Sequence, residues 1–181
     1  VTLPGKEATL GTFERRFRLD VLPDIAFTRS VRIHQVYWRL GHEWSIRIRQ
    51  EDDPADYKHT ITIKGPRTGA DRPQISVDVF KDVADLDRGE KLYILEAFLG
   101  SGVQHAIDKT RHFVEIDGIT WEIDDFEGAP AGLIIAEVRS EDEELIRLVE
   151  PPSEWNGREV TADPLYNNEN LAYDECLWVT G

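Results

Sequence analysis

Hydrophobic and polar residues alternate along most of this chain. Period-two runs occur in TFERRFRL (12–19), VRIHQVYWRL (31–40), WSIRIRQ (44–50), HTITIKG (59–65), PQISVDVF (73–80), KTRHFVEID (109–117), TWEIDDF (120–126) and LIIAEVRS (133–140), mostly separated by Gly, Pro or Asp-rich turns. Such alternation is the signature of half-buried strands, and it predicts about eight of them. Two stretches change period. DVADLDRGEKLYILEAFLG (82–100) places Leu92, Leu95, Phe98 and Leu99 at helical spacing and stops on Gly100. SEDEELIRLVE (140–150) predicts a second helix, with Ser140 as its cap, acids in its first turn and Pro151-Pro152 as its stop. The loop KGPRTGADRP (64–73) and the tail after Asp163 carry no clear period.

The faces sort cleanly. Ile46, Ile48, Ile61, Ile63, Ile75, Val77, Val79, Trp121 and Ile123 predict the core faces of their strands. The opposite faces carry Arg47 and Arg49, Thr60, Thr62 and Lys64, Ser76 and Asp78, Lys109 and Arg111, Glu122 and Asp124, and Glu137 and Arg139. The first strand does the same with Thr12, Glu14, Arg16 and Arg18. For any single strand, a charged face is most simply a solvated one. Taken together, bases gather on the early strands and acids in WEID and AEV. A sheet closed into a barrel would turn these faces into a lined cavity.

Composition narrows the ligand. The chain has 181 residues and a formal charge of −14. One domain over residues 1–181 is the simplest expectation at this length. So acidic a chain is repelled by nucleic acid and anionic lipid, leaving divalent cations or an enclosed anion site as partners. The single cysteine, Cys176, excludes an internal disulfide and a cysteine-based zinc cluster. The five histidines lack metal-ligand spacing. Neither a signal peptide nor a membrane-spanning run is recognisable, so a cytoplasmic protein is expected, of unspecified oligomeric state.

In order along the chain, TFERRF, IRIRQ, TITIKG, DKTRH, WEIDDFEG with AGLIIAEV, and PPSEWNGREVTADPLYNNENLA resemble the motifs of the CYTH family, the triphosphate tunnel metalloenzymes, in its short bacterial form. The resemblance runs roughly from Thr12 to Asn170. It implies an α+β, mainly β fold: an eight-stranded antiparallel closed barrel forming a tunnel, with flanking helices. It places Arg16, Arg47, Arg49, Lys64, Arg72, Lys109 and Arg111 at substrate phosphates, and Glu14, Glu122, Asp124 and Glu137 around Mg²⁺ or Mn²⁺. Glu14, Arg16 and Arg139 would be the catalytic group.

Departures from the family pattern point to a degenerate metal site. Thr12, Gln74, Ser76 and Arg139 stand where glutamates are usual, and Leu165 stands where a base is usual. A guanidinium about 5 Å from a divalent ion is opposed by about 6 kcal/mol at an effective dielectric near 20. Mg²⁺ or Mn²⁺ is therefore expected to bind weakly or not at all. Three functions remain open: a triphosphate phosphohydrolase, a non-hydrolytic binder of a phosphorylated small molecule, and a metal-independent barrel, such as a cyclase-like enzyme, working on a small organic substrate.

Overall fold

The computed structural model describes residues 13–53, 56–66, 73–79, 90, 105–128 and 132–173. The helix predicted at 82–100 and most of the 64–73 loop, together with Thr12, Arg72 and Cys176, lie outside the described residues. The strands are β1 (Phe13–Leu19), β2 (Arg29–Gly41), β3 (Trp44–Asp53), β4 (Asp56–Lys64), β5 (Gln74–Asp78), β6 (His105–Ile116), β7 (Ile119–Glu127), β8 (Ile134–Ser140) and β9 (Arg158–Glu159). Two short helices follow β8 in sequence, α1 (Glu143–Leu148) and α2 (Asn168–Tyr173).

Tight turns set the register. β6 returns into β7 through Asp117-Gly118, both at positive φ (52° and 76°), as a two-residue hairpin of the twist-matching kind requires. His42 and Glu43 do the same between β2 and β3, at φ 48° and 62°. Helix α1 is capped by Asp142, whose Oδ1 accepts the Leu145 N–H at 3.0 Å. Ser140, the expected cap, is the last residue of β8, and its Oγ accepts the Asp142 N–H instead.

All strands join one antiparallel sheet in the order β5-β4-β3-β2-β6-β7-β8-β1-β9. The expected closed, eight-stranded barrel is thus corrected, among the described residues, to an open sheet of nine strands. The reason lies at the edge of β1. Its outer backbone is taken by the segment from Arg158 to Thr161: Phe17 and Arg18 pair with β9, the Val160 N–H donates to Arg16 O at 2.8 Å, and the Arg16 N–H donates to Thr161 Oγ1 at 3.0 Å. An edge occupied in this way from Arg16 to Arg18 cannot pair with β5 there. The sheet nevertheless curls, because Arg16 and Glu14 of β1 and Lys64 of β4, far apart in the strand order, line one cavity.

Apolar clusters cover both faces. On the convex side Phe17, Trp121, Ile123, Ala136 and Val138 pack with Ile146 and Val149 of the α1 region and with Trp155. Trp121 meets Phe17 at 5.9 Å and Trp155 edge-on at 5.4 Å between ring centroids, a contact geometry favourable beyond its buried area. On the concave side Tyr37, Ile107, Phe126 and Ile135 pack with Tyr166, Leu171 and Ala172, so the C-terminal segment seals part of the trough. The expected core face differs at one end: Ile63, Ile75 and Val77 are exposed (39%, 59% and 56%). They sit on β4 and β5, whereas both clusters centre on β1 and β6 to β8.

Candidate functional site

Because side chains alternate, every residue two positions apart along these strands shares the concave face. The resulting cavity, about 960 Å³, is lined by Glu14, Arg16, Tyr37, Arg39, Trp44, Arg47, Arg49, Lys64, Asp124, Phe126, Glu137 and Arg139, together with Thr161 and the segment 164–170. The polar face of the first strand therefore looks inward. Lys109 and Arg111 stand behind this lining, paired with its Asp124, and Glu122 stands there with them, paired with Arg111 and Arg139. Gln74 and Ser76 lie on β5, with Ser76 Oγ 3.0 Å from Thr62 Oγ1.

One wall is acidic and saturated. Asp124 lies opposite Arg111 across the β6–β7 ladder. Arg111 Nε donates to Asp124 Oδ1 at 2.7 Å and Nη2 to Oδ2 at 2.8 Å, while Lys109 Nζ reaches Oδ2 at 2.6 Å. Burial alone would raise the Asp124 pKa, but Lys109 and Arg111 outweigh it and hold the carboxyl well below its ordinary range. Burial pushes the Lys109 ammonium down, to about 7, against the pull of Asp124. Glu122 and Glu137 lie directly opposite each other on β7 and β8, a pairing that costs stability unless cations stand between them. Arg111 and Arg139 do so. Arg111 contacts Glu122 through Nη1 and Glu137 through Nη2 at 3.4 Å. Arg139 spreads its three nitrogens over three carboxylates: Nη2 to Glu137 at 2.5 Å, Nη1 to Glu122 at 3.2 Å and Nε to Glu14 at 3.5 Å. Glu14, half-exposed, has its pKa raised by burial and by Glu137; Glu137 is lowered because Arg139 and Arg111 overcome its burial.

The facing wall is basic and under-filled. Arg47 donates through Nη2 to Thr62 Oγ1 at 3.0 Å, and among the described residues no carboxylate pairs with it. Burial, then the like charge of Arg49, lowers its pKa to about 10. Arg49 bonds Gln35 Oε1 at 3.1 Å and Glu51 at 3.0 Å. The Nε of Arg47 and Nε2 of Gln35 are buried donors without a hydrogen-bond acceptor, as is Nε of Arg16 on β1, which lies 3.8 Å from Glu14 Oε1. Such groups are costly to leave unpaired and suit an incoming oxyanion. Arg16 is otherwise a clip, its Nη1 and Nη2 donating at 2.9 Å to the carbonyls of Tyr166 and Thr161.

Fit to a metal can be tested on this geometry. Four carboxylates offer the oxygen chemistry that Mg²⁺ and Mn²⁺ prefer. Their inner oxygens are already committed to Arg111, Lys109 and Arg139, and among the described residues no group of three acidic, histidine or cysteine side chains is placed to hold a metal ion. The acids as arranged do not fit a divalent ion.

Sequence reasoning missed Gln35, Tyr37, Arg39 and the contribution of 161–170. The Gln35 and Tyr37 alternation with Val36 and Trp38 was visible in HQVYW. Asp163-Pro164 was also a readable start signal: Asp163 caps the short 3₁₀ turn Pro164–Tyr166. What no local pattern shows is that the next helix crosses to β2 and β3, where Glu169 accepts from Ser45 Oγ at 3.0 Å and Arg39 Nε at 3.3 Å.

A curled antiparallel sheet with a charged concave face sealed by its C-terminal segment defines a tunnel-type β protein. The chain is 34% identical over 167 residues to an inorganic triphosphatase of Acetivibrio thermocellus, covering 92% of this chain and 93% of that one. It is 29% identical over 160 residues to an inorganic triphosphatase of Nitrosomonas europaea, covering 88% and 95%. The crystal structure of the inorganic triphosphatase NE1496 matches with a TM-score of 0.61 at 25% identity, over 91% of this chain and 95% of that one. No family model matches. The chain belongs to the CYTH-like family of triphosphate tunnel proteins that contains these inorganic triphosphatases. Among the described residues, no helix is long and apolar enough to cross a membrane.

Proposed function

We propose that this protein binds a linear oligophosphate, inorganic tripolyphosphate being the first ligand to test, along the Arg47 and Arg49 wall of the cavity. The observation that carries the reading is a buried donor without an acceptor on that wall, Arg47 Nε, in a guanidinium that forms no ion pair with a described carboxylate, together with Gln35 Nε2 on the neighbouring strand. A buried, unpaired cation is expensive. A phosphate chain supplies both the missing charge and many acceptor oxygens. Lys64 and Arg139, on the same lining, extend the contact at either side. The names of the relatives support a phosphate chain over other polyanions.

Hydrolysis is the second reading, favoured by Glu14. It is the half-exposed acid of the lining, with a pKa raised by burial and by Glu137. In its ionised form it can orient a water molecule toward the terminal phosphorus and accept a proton as the water oxygen bonds to phosphorus and the bridging oxygen leaves with pyrophosphate. Arg47 and Arg139 would stabilise the charge on the transferred group.

Thermal denaturation with sodium tripolyphosphate tests binding. Ligand at about a hundred times Kd stabilises by roughly 2.7 kcal/mol, raising Tm by roughly 5–10 °C in a domain of this size. An unchanged melting curve at millimolar ligand would remove the reading. Release of orthophosphate in the same samples separates hydrolysis from binding alone.

A further inference from the structure

We infer that Arg139 is a built-in counter-cation, so that the cavity takes its oligophosphate free of divalent metal. This inference rests on the phosphate-binding reading above. Three carboxylates from three neighbouring strands, Glu14 on β1, Glu122 on β7 and Glu137 on β8, converge on one planar guanidinium, each meeting a different nitrogen. The register makes the arrangement possible: Arg139 lies directly opposite Glu14, and Glu137 directly opposite both Glu122 and Arg16. A divalent ion entering this cage would have to displace Arg139 from all three carboxylates or share them with it at close range, against direct charge repulsion.

The second support is independent of that cage. Outside that cage the cavity lining carries five basic side chains, Arg16, Arg39, Arg47, Arg49 and Lys64, against three acidic ones, Glu43, Asp124 and Glu169, in a protein whose formal charge is −14. Its surplus is positive before any metal arrives. The acids of the far wall are neutralised from behind by Lys109 and Arg111, neither of which has to turn toward a ligand. A bare oligophosphate matches such a lining better than its magnesium complex, whose charge is partly cancelled.

Isothermal titration of the natural protein with sodium tripolyphosphate, once in EDTA and once with excess Mg²⁺ or Mn²⁺, separates the alternatives. Binding in EDTA that equals or exceeds binding with metal is the expected result. Binding seen only with metal, or tightened by about tenfold or more by it, would overturn the counter-cation while leaving the oligophosphate site standing. Absence of binding in both buffers would remove the underlying site as well. The variant Arg139→Gln, checked for folding by circular dichroism, should lose about tenfold or more in EDTA and regain part of it with Mn²⁺. A folded Arg139→Gln protein that binds in EDTA as tightly as the parent would also overturn the inference. If that variant does not fold, the two titrations of the natural protein still distinguish metal-free from metal-dependent binding.

Discussion

The two walls of one cavity handle buried charge in opposite ways. On the β6–β8 side, Asp124, Glu122 and Glu137 share Lys109, Arg111 and Arg139, and each charge has a partner within the fold. On the β2–β3 side, Arg47 and Gln35 keep buried donors unsatisfied, and burial pulls the Arg47 pKa down to about 10. Arg111, also buried, has its pKa raised, because its carboxylates overcome the burial that Arg47 meets with Arg49 beside it. The same residue type is therefore paired within the fold on one wall and keeps a buried donor without a hydrogen-bond partner on the other. A buried ion costs stability unless something of opposite charge completes it. Where the fold supplies the partner the result is a strut; where it does not, a buried donor is left without one.

That contrast breaks most visibly at Asp124. Asp124→Asn leaves Lys109 and Arg111 buried without their main counter-charge. It should destabilise the fold by roughly 3–5 kcal/mol, seen as a Tm lower by roughly 10 °C or more. The pH dependence has a definite sign. The folded carboxyl lies below its ordinary 3.8, so the natural protein binds fewer protons there than the unfolded chain does. This stabilisation is complete above about pH 5 and is lost progressively as pH falls through 3.8 toward the folded value. The Asn variant should lack that part of the acid transition. Equal denaturant midpoints for the two proteins at pH 7 would refute the strut.

Arg47→Ala should act in the opposite sense. Losing a charge-assisted contact worth about 1.5–3 kcal/mol would weaken tripolyphosphate binding roughly 10- to 150-fold in calorimetry. The ligand-free Tm should stay level or rise, because a buried cation and its repulsion with Arg49 are gone. A fall in ligand-free stability with affinity intact would reverse the assignment of the two walls.

The smallest effect calibrates both. Arg32 and Glu127 form a 3.0 Å ion pair in water, with side chains 65% and 43% exposed. Glu127→Gln should change stability by less than about 0.5 kcal/mol in urea denaturation. A larger loss would mean that ion pairs in this protein are strong wherever they lie, and burial would no longer account for the effect at Asp124.

Much of this was readable one strand at a time. Alternation alone put Arg47, Arg49, Lys64, Asp124, Glu137 and Arg139 on one face, because a strand's side-chain period is two whatever the strand pairs with. The family motifs added the order of the strands and the expectation of a phosphate chain. Closure of the sheet was not readable in this way. It turns on whether the edge of β1 is left for β5 or taken by the segment from Arg158 to Thr161, which lies more than a hundred positions further along the chain. The pairing of charges was equally hidden. Sequence placed Lys109 and Arg111 among the phosphate contacts and Glu122 among the metal ligands; it did not show that cross-strand register sets Arg111 opposite Asp124 and Glu122 opposite Glu137, with Arg111 and Arg139 between the carboxylates. Composition and period determined which charges face inward. Only the packed sheet decided which of them meet, because the energy of a buried charge depends on neighbours that local sequence does not name.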